Sequence, residues 1–566
     1  MVSIAAKRRD TAIKAGRTAL AKYLNEHVGA MRIAGSFALA LFACSAAAIV
    51  AAWGWLGASV EMPPAAAFAP NKIHCISYTP FRGDESPLGP EIPVDPQHID
   101  QDLAQLKQIT GCVRTYSVEH GLDRIAEIAA RHGMKVLQGL WLSSLPERNR
   151  KEIETVVALA RKFPDVIAAV VVGNEVLLRG EMSPPDLART IREVKSRVAM
   201  PVTYADVWEY WLRYRELAGE VDFVTVHILP YWEDFPIPSR DAARHVEAIR
   251  SRVVAAFPQK EILVGEFGWP SAGRMREGAL PSPVNQARAM QEVLALAGRE
   301  SYRVNLIEAY DQPWKRQLEG TVGGHWGLFD AYRRAAKFTW GASVSNHPYW
   351  RWQATGGIAL AAAVFLSALL GWRSAAAAQN VVSWLRVAAM ATVSGSLIGW
   401  TVENVPLESL GAGGWLRSLA WAAVALLSPI LAALVLAAGK TLPSFAQILG
   451  RNGRKGAERI ELSIGIVLIA LALLAVPAAL GLVFDPRYLD FPFAPLTGAA
   501  VPFLFLRTWK LRPKAPAAEL VMAFALVSAA LYIALNEGFA NWQACWFAGG
   551  LALLALILLR AQPAPS

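Results

Sequence analysis

Residues Ile167–Gly180 read IAAVVVGNEVLLRG, and residues Lys260–Ser271 read KEILVGEFGWPS. In each, a β-branched and apolar run passes through a glycine to a carboxylate, Glu175 in the first and Glu266 in the second. An apolar run of this length, bounded by turn residues, fits a strand buried on both faces, as in a parallel sheet. A glutamate at the C-terminal tip of such a strand is where a (β/α)8 barrel presents its reactive groups. Six further strand-like runs begin near Lys72 (KIHCISYTP), Cys112 (CVRTYS), Lys135 (KVLQGLWLS), Pro201 (PVTYADVW), Phe223 (FVTVHILPYW) and Arg303 (RVNLIEAYDQPWK). Amphipathic segments such as IDQDLAQLKQI and LDRIAEIAARHG separate them, with apolar residues at helical spacing and a Gly stop. The expectation is an α/β fold, a (β/α)8 TIM barrel over Asn71–Asn346, set outside a membrane.

The rest of the chain does not read as soluble. At 566 residues and 54% hydrophobic it is too long for one domain and too apolar for globular domains alone. Residues 1–32 form a basic tail, expected in the cytoplasm. Residues 33–58 read as a retained transmembrane anchor, too long for a signal-peptide core. Residues 59–70, including MPPAAAFAP, read as a Pro/Ala linker that spaces the barrel from the bilayer. Residues 354–560 read as an α-helical multispan region of seven spans, centred near 363, 393, 429, 472, 498, 527 and 551. Pro492, Pro495 and Pro502 make the span near 498 the weakest.

The formal net charge of +10 follows this topology. Basic residues crowd the tail, Arg373/Arg386, Arg451–Arg459, Arg507–Lys514 and Arg560. The alternate loops hold Glu403/Glu408, Asp485/Asp490 and Glu537. The positive-inside rule then gives both termini in the cytoplasm and the barrel on the periplasmic side of a bacterial inner membrane. Nucleic acid is not expected as a partner, because the basic residues track the membrane rather than one face of a fold.

The four cysteines form no metal or disulfide pattern. Cys75 and Cys112 fall in the first two strands, where free buried thiols are the expected state. Asp100-Gln101-Asp102 resembles a nucleotide-sugar DxD, but Asp100 is expected to be an ordinary helix N-cap. No ligand cluster calls for a metal or an organic cofactor.

Two strand-tip carboxylates suit retaining glycoside hydrolysis, which needs an acid/base and a nucleophile. Asn174 beside Glu175 suits a donor to the sugar 2-hydroxyl, which makes Glu175 the acid/base and Glu266 the nucleophile. The acid is expected to have a raised pKa. Aromatic residues at the strand tips, among them Tyr78, Tyr116, Tyr204, Trp208, Tyr231 and Trp269, are expected to line a sugar cleft, with Trp269 foremost and Tyr231 orienting Glu266. On the eighth strand, Trp314 joins that lining, and Glu308, Asp311 and Lys315 are expected to form a charged support, with Arg114 balancing charge. His227 lies in the same layer, where a lone strand histidine is ordinarily a satisfied core residue.

The motifs VGNEVLLRG, VGEFGWPS and YDQPWK resemble glycoside hydrolase family 17, over roughly Lys72–Lys337. The resemblance implies a (β/α)8 barrel, a retaining mechanism, Glu175 as acid/base, Glu266 as nucleophile and β-1,3-glucan as substrate. The eighth-strand motif departs from the family at Gln312, where relatives commonly carry glutamate. An anchor, an exported barrel and a multispan tail together resemble the family's bacterial membrane-bound members, which act in forming cyclic β-(1→3),(1→6)-glucans. That implies transglycosylation with β-1,6 linkage formation. Hydrolysis, or service as an accessory to a membrane β-glucan synthase or exporter, are the alternatives.

Overall fold

The structure is a computed structural model that describes residues 36–63, 73–83, 85–90, 92–332, 334–373, 381–449, 458–506 and 517–560. The basic tail and most of the Pro/Ala linker lie outside the described residues. Eight parallel strands close a barrel in sequence order: β1 (Cys75–Ser77), β2 (Cys112–Arg114), β3 (Lys135–Leu140), β4 (Ile167–Asn174), β5 (Val202–Val207), β6 (Val224–His227), β7 (Ile262–Phe267) and β8 (Arg303–Leu306). This is the (β/α)8 barrel that the sequence predicts.

The helix α1 (Ser36–Leu56) precedes the barrel. Each strand then leads into a helix: α2 (Pro96–Leu106), α3 (Ile125–Arg131), α4 (Pro146–Lys162), α5 (Pro184–Lys195), α6 (Trp208–Arg213), α7 (Ala242–Ala256), α8 (Pro283–Arg299) and the four-residue α9 (Arg316–Glu319). The N-cap of α2 is Asp95, whose side chain accepts from Gln97 N. Asp100 therefore lies inside the helix and does not cap it; Pro96 starts the helix one turn earlier than expected. Asp102 is buried against Tyr78, Arg82 and Arg334, while Asp100 pairs with His132 at the surface, so the two carboxylates do not converge on one site.

Strand alternation builds the core. Ala169 and Val171 of β4 pack inside the barrel with Leu137, Ala205 and Leu263. Val170 and Val172 face outward and join the buried face of α5, including Leu187, Ile191 and Val194. Each fully buried side chain of this size stabilises the fold by about 1.5–3 kcal/mol. Cys75 and Cys112 sit side by side on β1 and β2 within the inner layer and are joined by a disulfide, with Cα atoms 4.5 Å apart. The expectation of free thiols is thus corrected. Adjacent, inward-facing positions on neighbouring strands bring the two sulfurs together, which the sequence spacing did not reveal.

The C-terminal region holds α10 (Trp350–Arg373), α11 (Val381–Glu408), α12 (Gly411–Ala437), α13 (Phe445–Leu449), α14 (Arg459–Phe484), α15 (Phe493–Leu504), α16 (Ala517–Glu537) and α17 (Trp542–Leu559). Among the described residues, seven helices including α1 are long and apolar enough to cross a membrane. The span expected near 498 is α15, only 12 residues long. At 1.5 Å per residue it rises about 18 Å, short of a ~30 Å hydrocarbon layer. Its three prolines account for the shortness. Large apolar side chains such as Leu366, Leu416, Leu473 and Phe524 stay exposed around this bundle.

The barrel is not held away from the bundle. Loops after β7 and β8, on the strands' C-terminal face, pack on the α11–α12, α14–α15 and α16–α17 connections. Arg274 pairs with Glu537 at 2.6 Å, both nearly buried, and Arg316 donates to Leu407 O. Thr321 donates to Asp490, and Asn541 to Met275 O. The barrel's open face therefore looks toward the helices.

The disulfide gives a direct check. Denatured without reductant, the chain is expected to expose two thiols to maleimide, Cys44 and Cys545, and four after reduction. Four reactive thiols before reduction would contradict the pairing.

Candidate active site

Regular alternation would not put Asn174 and Glu266 where they are. On β4, Ala169 and Val171 face inward, so Asn174 should face the helices. The β4–β5 register slips between Val171 and Asn174, with Gly173 at φ +85° and Glu175 at φ +51°. On β7, Leu263 faces inward and Glu266 should not. The β6–β7 register slips between Val226 and His227, pairing His227 with Glu266. One extra residue in each strand turns both motifs into the barrel mouth. Such bulges re-aim side chains next to active sites. A left-handed Glu175 is uncommon backbone for a non-glycine residue, of the kind held at functional positions.

Arg114, 1% exposed at the end of β2, joins the two motifs. Its Nη2 donates to Asn174 Oδ1 at 2.6 Å. Its Nη1 donates to Gly265 O at 2.7 Å and to Glu266 Oε1 at 3.2 Å. Gly265 leaves room for this, since a Cβ there would stand 2.2 Å from Thr225 Cγ2 and 3.5 Å from Arg114 Nη1. Tyr116 donates to the same Glu266 Oε1 at 2.8 Å. Glu266 Oε1 thus accepts from two donors, one of them cationic, which fixes its orientation.

His227 stands between the glutamates. Its Nδ1 is 2.7 Å from Glu175 Oε1, and its Nε2 lies 3.2 Å from Arg114 Nη1 and 3.5 Å from Glu266 Oε1. A guanidinium can only donate, so Nε2 accepts, and the ring proton sits on Nδ1 and is given to Glu175. Burial pushes the Glu175 carboxyl up. The His227 hydrogen bond, then the charges of Arg114 and Arg179, outweigh it and leave the carboxyl below its ordinary value. The expectation of a raised pKa for this residue is reversed in the substrate-free site, because His227 satisfies the carboxylate.

A carboxylate oxygen of Glu175 and one of Glu266 lie within 4.8 Å of each other and of a His227 nitrogen. Three such atoms are close enough to hold a metal ion, but the Arg114 guanidinium 3.2 Å from both Glu266 and His227 opposes a cation there.

The other candidate residues divide. Trp208 and Lys315 line the cleft of about 620 Å³ that contains both glutamates. Lys315 pairs with Glu308 at 2.8 Å, and burial raises the Glu308 carboxyl to about 7 despite that charge. Asp311 does not join this pair: it binds Lys337 at 2.5 Å and the backbone of Gly327. Gln312, the departure from the family motif, lies outside the pair too; it bridges Thr79 O and the Trp314 indole. Trp314 accordingly packs beside Phe81 and is not a lining residue of the cleft.

Tyr78, Tyr204, Tyr231 and Trp269 are all buried to 1% exposure or less, so they form barrel core and offer no face to a sugar. Each polar tip is used internally. Tyr78 donates to Asp102, Tyr204 to Asp206, Tyr231 to Arg274 O and Trp269 to Leu280 O. The orienting role expected of Tyr231 at Glu266 belongs to Tyr116. Sequence reasoning undervalued His227 and missed Ser77, Asn305 and Trp326. Ser77 Oγ accepts from Asn305 and donates its own proton to the Tyr116 oxygen 2.7 Å away, and Trp326 lines the cleft. The position of His227 at the tip of β6, beside the Glu266 strand, was the available signal.

Residues 75–327 match the BtgE/BtgC glycoside hydrolase domain. The barrel is similar to glucan-active glycoside hydrolases of the family 17 type. It is similar to a glucan 1,3-beta-glucosidase of Arthroderma benhamiae, 26% identical over 262 residues, which are 42% of this chain and 83% of that protein. It is also similar to the probable beta-glucosidase btgE of Aspergillus flavus, 28% identical, covering 41% of this chain but 39% of the relative. A solved glycoside hydrolase family 17 beta-1,3-glucanosyltransferase from Rhizomucor miehei is 26% identical, with a TM-score of 0.42 over 48% of this chain and 98% of the other. The barrel is a glycosidase-type enzyme.

Two substitutions probe the site. Tyr116→Phe removes one of the two donors to Glu266, and kcat/KM on a cleavable glucoside is expected to fall about 10- to 100-fold, the worth of a hydrogen bond to a charged group. His227→Ala removes the hydrogen bond that lowers the Glu175 carboxyl, so that pKa rises. An acid is lost as pH climbs through its pKa, so the alkaline limb of kcat/KM should move to higher pH. A limb that stays put or moves down would rule out this coupling.

Proposed function

We propose that this chain is a membrane-held retaining transglycosylase acting on β-1,3-glucan, with Glu175 as acid/base and Glu266 as nucleophile. The observation that carries it is the approach of the two carboxylates to within 4.8 Å. Retaining enzymes keep the pair about 5–5.5 Å apart, while inverting ones leave about 6.5–9.5 Å for a water. The names of the relatives, glucan 1,3-beta-glucosidase and beta-1,3-glucanosyltransferase, support β-1,3-glucan as the substrate.

In the first half-reaction a Glu266 oxygen attacks the anomeric carbon while protonated Glu175 gives its proton to the departing glycosidic oxygen. A glucosyl ester forms on Glu266 and the sugar leaving group is freed. In the second, Glu175 removes a proton from an acceptor hydroxyl, whose oxygen displaces Glu266 and restores both carboxyls. The His227 Nδ1–H bond holds Glu175 as the carboxylate suited to this second step. Arg114 and Tyr116 keep Glu266 aimed for the first.

Sugar, rather than water, is favoured as the acceptor by the packing of the helical bundle on the cleft side of the barrel. A 6-hydroxyl acceptor, giving β-1,6 linkages in a periplasmic and cyclic glucan, is supported by the anchor–barrel–multispan organisation. Placement of the barrel outside the inner membrane is supported by two features: the acidic loops are the ones that meet the barrel, and a disulfide suits an oxidising compartment. A membrane β-glucan synthase that supplies the emerging chain fits the same arrangement.

Full-length protein incubated with linear β-1,3-gluco-oligosaccharide is expected to yield products longer than the substrate, with 1,6-linked glucose detectable by linkage analysis. Glu266→Gln should lower turnover by at least about 10³-fold, as expected for loss of a nucleophile. Shorter products alone would make the enzyme a hydrolase.

A further inference from the structure

The active-site cleft is not made by the barrel alone. Besides Glu175, Glu266 and the barrel's own loops, it is lined by Arg487 and Tyr488, from the connection between α14 and α15. This connection follows a helix of the bundle, more than 150 residues after the last barrel strand. Arg487 lies over the Trp232 ring at 5.6 Å, and Tyr488 meets the same ring edge-on at 6.2 Å. Trp232 is stacked nearly parallel on Trp326, at 6.4 Å and 18°. Aromatic, arginine and tyrosine side chains therefore share one flank of the cleft.

Three properties of this flank suit sugar. Aromatic faces cover the apolar C–H faces of pyranose rings, and arginine and tyrosine supply donors for ring hydroxyls. The Trp326 indole N–H is buried and finds no hydrogen-bond partner among the described residues. A native structure seldom leaves such a donor unpaired, so a ligand acceptor is a natural partner. Arg487 is exposed and makes no ion pair among those seen at the cleft, which leaves its guanidinium donors available.

The position is fixed rather than incidental. Leu489 O accepts from Arg274, Asp490 accepts from Thr321, and the Phe491 ring lies 4.6 Å from the Arg274 guanidinium. Three consecutive residues after Tyr488 are thereby clamped to the loops that follow β7 and β8.

We propose that Arg487 and Tyr488 complete a carbohydrate subsite with Trp232 and Trp326, so that the membrane bundle is part of the enzyme's glucan-binding surface. The inference rests on the glucan-active reading above. It gives the C-terminal helices a role beyond anchoring: they hold a more distant sugar of a long chain in line with the catalytic carboxylates, at the membrane surface.

The test uses the full-length chain carrying Glu266→Gln, so that ligands bind without turnover. Calorimetry measures Kd for a linear β-1,3-linked glucose hexamer and for the dimer, with and without Arg487→Ala or Tyr488→Ala. The hexamer's affinity advantage over the dimer is expected to shrink at least tenfold in either variant. A general structural defect would weaken both ligands together and leave that ratio unchanged. An unchanged ratio, with both ligands still binding the parent chain, overturns the joint subsite and spares the glucan reading. No binding of either oligosaccharide to the parent chain overturns the glucan reading, and this inference with it.

Discussion

Arg114 carries a positive charge into the mouth of a closed barrel, where it is 1% exposed, and the arrangement of the site follows from satisfying it there. An unpaired charge in such a place is prohibitively costly. The guanidinium fork spreads over Asn174, Gly265, His227 and Glu266, four partners from three different strand tips. A planar fork with fixed donor directions imposes positions on its acceptors, which a lysine would not do. Glu266 orientation and histidine tautomer are then consequences of one cation. The tautomer sets the N–H that Glu175 accepts in turn, so that the two carboxylates are linked electrically although they never touch.

Getting those acceptors to the cation requires the backbone to break its own alternation. A perfectly regular strand would turn Asn174 and Glu266 toward the surrounding helices, against Val and Ile side chains. The register slips in β4 and β7 each insert one residue, and each lies at or beside a glycine. The resemblance of VGNE to VGE is thus more than shared composition. Both are the same local solution to presenting a carboxylate at a strand tip. The left-handed Glu175 is the strained end of that solution, held by its backbone bond to Ala205 O and by the His227 contact.

These features explain what was legible in the sequence. Strand runs, the helical spacing between them and the two glycine–glutamate tips follow from local patterning, and all eight strands and both glutamates appear where that patterning puts them. The aromatic residues were a different matter. Trp269 and Tyr231 sit at strand tips in sequence, yet their rings turn into the core, and neither composition nor spacing distinguishes a ring facing a cleft from one facing a helix. Tyr116 and His227 gained their roles from cross-barrel neighbours 150 and 52 residues away, Glu266 and Glu175. The disulfide was hidden for the same reason: Cys75 and Cys112 become neighbours only when β1 and β2 align.

The relation of barrel to bundle was the least legible of all. A Pro/Ala linker suggests a barrel spaced from the bilayer, and the sequence carries no pattern that says otherwise. Docking instead depends on single polar residues in separate loops, Arg274 with Glu537, Thr321 with Asp490 and Asn541 with Met275 O, each unremarkable in its own segment. A nearly buried ion pair such as Arg274–Glu537 adds little net stability against an apolar alternative, but losing one partner leaves a buried charge unpaired. Such a contact penalises every other orientation of the barrel more than it rewards this one. The orientation it selects points the open end of the barrel at the helices, so that Arg487 and Tyr488 of the bundle line one flank of the cleft that holds both glutamates.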